Sequence, residues 1–263
     1  MGRIYTLVNQ KGGVGKTTTA INLGAFLAQF GQRVLIVDID PQANATSSLG
    51  VDKHMVKGGV YESLMNGVSA TPFILLNTRL KLSLLPASPS LAGAEIELVT
   101  ELGRESKLKQ AMNPVIELFD YILVDCPPSL GLLAVNGLMA AKDGVIIPVQ
   151  CEYLALEGIG ELRRTIQRVR VALFPGLKIR GVVMTMFDGR THLATDVVAE
   201  VRKHFSDQVF KTIIPRSIRL AEAPSYGLPI SVYAPSSNAA HAYEALALEL
   251  LMGDGLIDPR IQE

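Results

Sequence analysis

Short apolar runs alternate along this chain with longer stretches whose apolar residues recur at the spacing of an amphipathic helix. Runs of about four to eight residues without polar alternation are typical of strands buried on both faces of a parallel sheet, and parallel strands need crossover connections between them. The pattern therefore predicts strands at residues 4–9, 33–38, 82–86, 121–125, 144–149, 181–186 and 209–213.

The helical stretches complete this arrangement. The first predicted helix is closed by Gly31, and residues 42–77 are the least regular part of the sequence, with a short helix at 60–65. Because 48% of the 263 residues are hydrophobic, the chain can bury one large core. We expect a single α/β domain over residues 1–263, with a mainly parallel twisted sheet flanked by helices. The longer predicted helices are residues 17–30, 91–102, 107–118, 132–141, 156–171, 193–204 and 238–252.

A glycine-rich stretch, KGGVGKTT at residues 11–18, lies between the first predicted strand and the first predicted helix. Glycines allow successive backbone N–H groups to converge on phosphate oxygens, and the start of the helix adds the positive end of its dipole. Lys16 is placed to bind the β and γ phosphates, and the Thr17 hydroxyl to bind Mg²⁺. The stretch predicts a P-loop with the nucleotide contacts Lys11, Gly12, Gly13, Val14, Gly15, Lys16, Thr17 and Thr18.

This loop departs from the usual P-loop pattern at two positions. The pattern has a glycine where this chain has Gln10, and Lys11 adds a second lysine to the loop. The alternative is a glycine turn that only ends a strand, but the strand, the loop, the helix and the Lys16–Thr17 pair all agree with phosphate binding. Lys11 is therefore a positive charge beyond those that one nucleotide site needs.

Two further predicted strands end in acidic residues, which a site for Mg²⁺ and water requires. Asp125 ends the run at 121–125, and we expect it to hold Mg²⁺ through a bound water. Asp38 ends the second strand, and Asp40 follows two residues later. A carboxylate with an ordinary pKa near ~4 is a poor base at neutral pH, so we assign Asp40 to orienting the attacking water and expect slow hydrolysis. Asp38 is predicted to be either a residue of the Mg²⁺ site or a structural acid.

The formal net charge is zero, but the charges are unevenly distributed. Residues 161–220 contain twelve lysines and arginines against five aspartates and glutamates, a local charge of +7, which leaves −7 on the rest of the chain. This asymmetry predicts a basic surface for a polyanion such as a nucleic acid. The alternative is a set of solvated helix faces.

Together these sequences resemble the ParA/Soj-type chromosome and plasmid partition ATPases, which carry a deviant Walker A motif. The similarity extends over essentially the whole chain. The resemblance implies a P-loop NTPase fold, ATP and Mg²⁺ as cofactors, and slow ATP hydrolysis that a ParB-type centromere-binding partner stimulates. Its anchors are NQKGGVGKTT at residues 9–18, DIDPQ at 38–42, DCPPS at 125–129, PVQCEY at 148–153 and IPRSIRLAEAPS at 214–225.

The resemblance also implies a nucleotide-dependent homodimer. Lys11 would be the signature lysine that reaches across a sandwich dimer to the partner's ATP, so Lys11, Lys16 and Asp40 would be the catalytic residues. Burying an ammonium at an interface is costly unless an anion meets it, so triphosphate should favour the dimer. Gly12 would lie where the two backbones approach most closely. The alternative for Lys11 is a charge that acts only on its own subunit.

Two other surfaces follow from the same resemblance. Pro215 and Ser217 would lie against the adenine, and arginines matching Arg190 and Arg219 would contact double-stranded DNA without reading its sequence. Both arginines fall inside the basic segment 161–220. We therefore expect a cytoplasmic, nucleoid-associated protein.

Three alternatives use the same nucleotide chemistry. A MinD-like membrane-associated protein would need a basic amphipathic C-terminal helix, whereas helix 238–252 has glutamates and no lysine or arginine, so we expect no membrane partner. An enzyme that activates a small substrate lacks support from a cluster-binding cysteine pair or a tyrosine-rich tail. A positioning ATPase for a protein cargo or the cell-division apparatus stays open.

Overall fold

The computed structural model describes residues 2–153 and 155–257, and one eight-stranded sheet runs through them. The strands in chain order are β1 Arg3–Leu7, β2 Val34–Asp38, β3 Leu75–Asn77, β4 Leu82–Leu85, β5 Tyr121–Asp125, β6 Gly144–Gln150, β7 Ile179–Phe187 and β8 Val209–Pro215. Their spatial order is β3-β4-β2-β5-β1-β6-β7-β8. Neighbouring strands are parallel except β3, which runs antiparallel to β4. The predicted mainly parallel α/β fold is confirmed.

Helices connect these strands and cover both faces of the sheet. Short 3₁₀ turns follow several of them, for example Leu98–Thr100 after the fourth helix and Ile116–Leu118 after the fifth. The α-helices are α1 Lys16–Gln29, α2 Asn44–Ser48, α3 Val60–Met65, α4 Leu91–Glu97, α5 Lys107–Met112, α6 Leu132–Ala140, α7 Ala155–Ala172, α8 His192–Phe205, α9 Ile218–Glu222, α10 Ile230–Tyr233 and α11 Asn238–Gly253.

All seven predicted strands are present, with ends that differ by at most two residues. Two helix predictions are wrong in length. The helix predicted at 107–118 ends at Met112, because Pro114 has no N–H with which to continue the helical hydrogen bonds. The helix predicted at 91–102 ends at Glu97 and continues only as a 3₁₀ turn. Strand β3 and helix α2 lie in the stretch predicted to be irregular.

The sheet is buried on both faces because successive strand residues point to opposite sides. Tyr5 belongs to the core packed under α1 and α11, whereas its neighbour Ile4 belongs to the core on the other face. The central strands are in register so that Leu7, Asp38 and Asp125 lie side by side at the carboxyl ends of β1, β2 and β5. This edge is where open α/β sheets bind ligands.

Candidate functional site

The glycine-rich loop joins β1 to α1 at the carboxyl edge of the sheet. Gly13 and Gly15 have φ angles of +74° and +88°, a left-handed conformation that residues with a Cβ rarely adopt. Gly15 is the N-cap of α1, so the free N–H groups of the first helical turn face this loop. The local sequence therefore builds a cradle that favours an anion.

Two long-range hydrogen bonds fix the shape of the loop. The Thr185 hydroxyl on β7 donates to the Val14 carbonyl oxygen over 2.9 Å, and the Asn9 amide donates to the Pro148 carbonyl oxygen of β6 over 2.8 Å. The Asn9 side-chain Oδ1 also accepts from the Lys11 N–H over 3.0 Å. These three hydrogen bonds therefore constrain the conformation of the loop.

The two loop lysines have different environments. Lys16 is buried, and its Nζ donates to the Lys11 carbonyl oxygen over 3.2 Å. Burial lowers the pKa of Lys16, while the nearby Asp125 carboxyl acts in the opposite direction. The Lys11 side chain is one-third exposed, and its Nζ lies 3.6 Å from Glu152 Oε2. Lys16 therefore points into the site, and Lys11 lies at its rim.

Asp125 and Thr17 form the buried polar centre of the site. The Thr17 hydroxyl donates to Asp125 Oδ2 over 2.7 Å, while Asp125 Oδ1 is buried without a hydrogen-bond partner among the described residues. Burial raises the pKa of Asp125 well above its usual value, and the negative charge of Asp38 adds to this shift. A buried carboxylate oxygen without a hydrogen-bond partner favours a bound cation, so Asp125 and Thr17 together fit Mg²⁺.

The two acids after β2 are held by different partners. Asp38 Oδ2 accepts from the Thr46 N–H and hydroxyl over 2.8 and 2.7 Å, and its Oδ1 accepts from the Asp40 N–H over 3.2 Å. Burial raises the pKa of Asp38 to about 6. Asp40 is also buried, and its Oδ1 accepts from the Gln42 N–H over 2.9 Å. Asp38 thus anchors α2 to the sheet. In Asp40, Oδ2 accepts no hydrogen bond from the described residues.

A cavity of about 330 Å³ lies beside the glycine-rich loop. It is bounded by the loop and α1 on one side and by the segments that end β7 and follow β8 on the other. Pro215 and Ser217, which the sequence assigned to the adenine, both line it. Met186 on its wall has a φ of +53°, and the left-handed conformation of such a residue marks local backbone strain beside the site. The lining includes Gly15, Thr18, Thr185, Met186, Pro215, Arg216, Ser217 and Tyr243.

The two predicted DNA-binding arginines follow adjacent strands at this same edge. Phe187 at the end of β7 is in register with Pro215 at the end of β8, and Arg190 and Arg219 come shortly after them. Their side chains are 89% and 61% exposed, and they pair with Asp188 and Glu222 respectively. Both guanidinium groups therefore face solvent near the cavity.

The comparisons with known proteins agree with this site. A family model described as an AAA domain matches residues 2–179. The chain is 53% identical to the sporulation initiation inhibitor protein Soj of Bacillus subtilis over 95% of this chain and 98% of Soj. It is 49% identical to the chromosome partitioning protein ParA of Myxococcus xanthus over 99% of this chain and 92% of that protein. This chain belongs to the ParA/Soj family of partition ATPases. A solved structure of cobyrinic acid a,c-diamide synthase from Mycobacterium smegmatis, with bound ATP analogue and magnesium, is 39% identical and has a TM-score of 0.86 over 95% of this chain and 94% of that one.

The structure of this ParA/Soj family member adds two residues that the sequence did not assign to the site. Thr185 holds the loop, and Tyr243 lines the cavity with its hydroxyl 3.2 Å from the Thr19 hydroxyl. A lone threonine inside the apolar run of β7 was a usable signal for Thr185. Tyr243 had none, because its position depends on how α11 packs against α1.

Replacing Thr185 by valine tests whether its hydroxyl shapes the loop of this ParA/Soj family member. Valine keeps the shape of the side chain but leaves the buried Val14 carbonyl oxygen without its donor, which costs about 1–3 kcal/mol. We expect ATP and ADP to bind about tenfold more weakly, as measured by calorimetry. Thr185→Ser keeps the hydroxyl and should bind near the parental level. Equal affinities in the valine and serine variants would show that the hydroxyl does not set the loop.

Proposed function

We propose that this protein is a partition ATPase that hydrolyses ATP with Mg²⁺ and binds DNA as an ATP-bound dimer. The observation that carries the ATPase assignment is the buried Asp125 Oδ1, which has no hydrogen-bond partner within residues 2–153 and 155–257, beside the Thr17 hydroxyl and the Lys16 ammonium. The relatives named chromosome-partitioning proteins in Myxococcus xanthus and Treponema pallidum support the cellular role.

The catalytic roles follow from the contacts of each side chain. The loop N–H groups and Lys16 bind the phosphates, and Thr17 and Asp125 hold Mg²⁺, with Asp125 acting through water. When bound, Mg²⁺ neutralises negative charge on the transferring phosphoryl group. Asp40 orients the attacking water, because its backbone turn is fixed by Gln42 and it lies close enough to Lys16 to affect that pKa. Of the two roles open to Asp38, a structural role fits better than a role in the Mg²⁺ site, since both of its carboxylate oxygens already accept hydrogen bonds.

The dimer depends on Lys11 and on the space around Gly12. An exposed ion pair such as Lys11–Glu152 contributes only about 0–1 kcal/mol, so Lys11 can exchange Glu152 for the phosphates of a partner's ATP. A Cβ built on Gly12 meets nothing within 4 Å in the part of the subunit that the structure describes. Space for a Cβ in the monomer means that the partner's backbone is what would exclude a side chain at this position.

We assign the nucleoside to the cavity beside the loop, and the DNA to the exposed arginines that follow β7 and β8. Pro215 and Ser217 contact the adenine in the cavity beside the loop. Arg190 and Arg219 contact DNA phosphates. A dimer carries two copies of each arginine, which strengthens DNA binding that does not depend on the base sequence. A ParB-type partner that stimulates hydrolysis would release the DNA, and the protein would be cytoplasmic and associated with the nucleoid.

The membrane alternative is not favoured by the position of the C-terminal helix. The apolar residues of α11, including Leu246, Leu250 and Leu251, are buried in the core against the sheet and α1. They are therefore not free to enter a bilayer as an amphipathic anchor would. No helix within residues 2–153 and 155–257 is long and apolar enough to cross a membrane. A protein cargo in place of a chromosome remains the second candidate function.

Reversing the charge at Arg219 tests the DNA surface. We expect Arg219→Glu to weaken binding to arbitrary duplex DNA at least about tenfold. The slope of log affinity against log salt concentration should also fall by the equivalent of about one phosphate contact per protomer. ATP binding should not change. Lys142→Glu is the matched control, because this exposed lysine precedes β6 at the opposite edge of the sheet. Fluorescence anisotropy across a salt titration measures both, and an Arg219→Glu curve identical to the parental one would remove Arg219 from the DNA surface.

A further inference from the structure

Strand β3 lies at one end of the sheet, and within the described part of the chain it pairs with β4 and with no other strand. Its two leucines, Leu75 and Leu76, are both exposed, the second to 66%. An exposed strand edge offers unpaired N–H and C=O groups, and proteins usually block such edges with charged side chains or proline. Here the strand itself presents large apolar residues instead.

Two surface hollows, of about 430 and 310 Å³, meet at this strand. Val51 and Leu75 line both of them, so these residues form the ridge between the hollows. The exposed Met55 lines the first hollow, and Leu76 lines the second. A peptide that adds to a strand edge projects alternate side chains to the same side, and such pockets give the interaction its specificity.

The charged residues around this edge are mostly basic. Lys57 lines the first hollow, and Arg79 and Lys81 lie in the turn between β3 and β4; all three are exposed. Asp52 is the acid that lines the first hollow. The surroundings of the edge are therefore complementary to a segment with acidic residues at its ends.

We propose that the β3 edge, defined by Val51, Met55, Leu75 and Leu76 with the basic residues around them, is a docking surface for an extended peptide segment of another protein. The segment adds to β3 as a further strand, places apolar side chains at alternate positions in the two hollows, and carries aspartate or glutamate at its ends. A lipid surface fits less well, because it has no backbone groups with which to extend the sheet beyond β3. The nucleotide site lies at the carboxyl ends of β1, β2 and β5, so this docking does not need ATP.

The test is selection of a phage-displayed library of random 12-residue peptides on the full-length protein without nucleotide. We expect the selected peptides to alternate apolar residues and to carry acidic ends, and the synthetic peptides to protect residues 75–77 from hydrogen exchange. Leu76→Asp should weaken their binding at least about tenfold, by placing a charge on the edge. Ile96→Asp is the matched control, because Ile96 on α4 is 77% exposed and lies outside the edge; it should bind at the parental level. Both variants should hydrolyse ATP at the parental rate.

Several results would overturn the proposal. Selected peptides that are basic, or that bind Leu76→Asp as well as the parental protein, would show that the edge is not the docking surface. Binding of phosphatidylglycerol vesicles that requires Leu76, without peptide binding, would assign the surface to lipid. Self-association of the nucleotide-free protein that Leu76→Asp abolishes would assign it to a second copy of this chain.

Discussion

Asp40→Ala is expected to lower the rate of ATP hydrolysis by about 10²-fold or more while leaving ATP binding intact. This change removes the carboxylate that we assign to orienting the attacking water, whereas the loop, Lys16, Thr17 and Asp125, which we assign to nucleotide binding, are unchanged. In the proposed cycle the dimer forms with ATP and dissociates after hydrolysis, so the variant should accumulate as a DNA-bound dimer. Phosphate release under steady-state conditions and sedimentation with DNA measure the two effects.

Asp40→Asn separates the charge of this residue from its role in the turn. Asparagine keeps a side-chain carbonyl oxygen that accepts from the Gln42 N–H, so the backbone after β2 should be preserved. We expect hydrolysis to be slow in both variants, because the negatively charged acceptor for water is absent in each. Hydrolysis by Asp40→Ala at the parental rate would show that Asp40 does not position the water.

Lys16→Ala is expected to abolish nucleotide binding. This buried ammonium is the point charge of the loop, and truncating one partner of a desolvated charge pair costs about 2–5 kcal/mol, roughly 30- to 5,000-fold in affinity. Isothermal titration with ATP and with ADP should both show the loss. A thermal melt of the variant checks that the fold survives the change beside Asp125.

Lys11→Ala is the matched control, because it removes the other lysine of the same loop. Lys11 is partly exposed, and its side chain forms an ion pair with the exposed Glu152, so its loss should spare both the fold and ATP binding. We expect this variant to bind ATP as a monomer and to bind DNA poorly. Normal nucleotide affinity in Lys16→Ala, or dimerisation of Lys11→Ala with ATP, would contradict the roles given to the two lysines.

The site residues that belong to short continuous motifs could be predicted from the sequence. The loop at 11–18, Asp125 at the end of β5 and the acids after β2 all depend on short motifs at strand ends, and parallel strands bring those ends to one edge. The buried strands were predictable for the same reason, since their apolar runs leave little choice of structure.

Features that depend on packing between distant segments were not predictable. Thr185 reaches the loop only because β7 lies two strands from β1, and Tyr243 reaches the cavity only because α11 packs on α1. The edge strand β3 has three residues, too few for a periodic pattern to show. The choice between a Mg²⁺ role and a structural role for Asp38 needed its contact with Thr46, eight residues away.

ATP-dependent DNA binding is tested by measuring the affinity for an arbitrary DNA duplex with ATP, with ADP and without nucleotide. The glycine-rich loop is expected to couple ATP to dimerisation, and the dimer to gather the arginines that follow β7 and β8. We predict tight binding with ATP, weak binding with ADP or without nucleotide, and loss of this ATP dependence in Gly12→Val, whose Cβ meets no atom of the described residues within 4 Å. Equal DNA affinity in all three nucleotide states would contradict the proposal that ATP assembles the DNA-binding dimer.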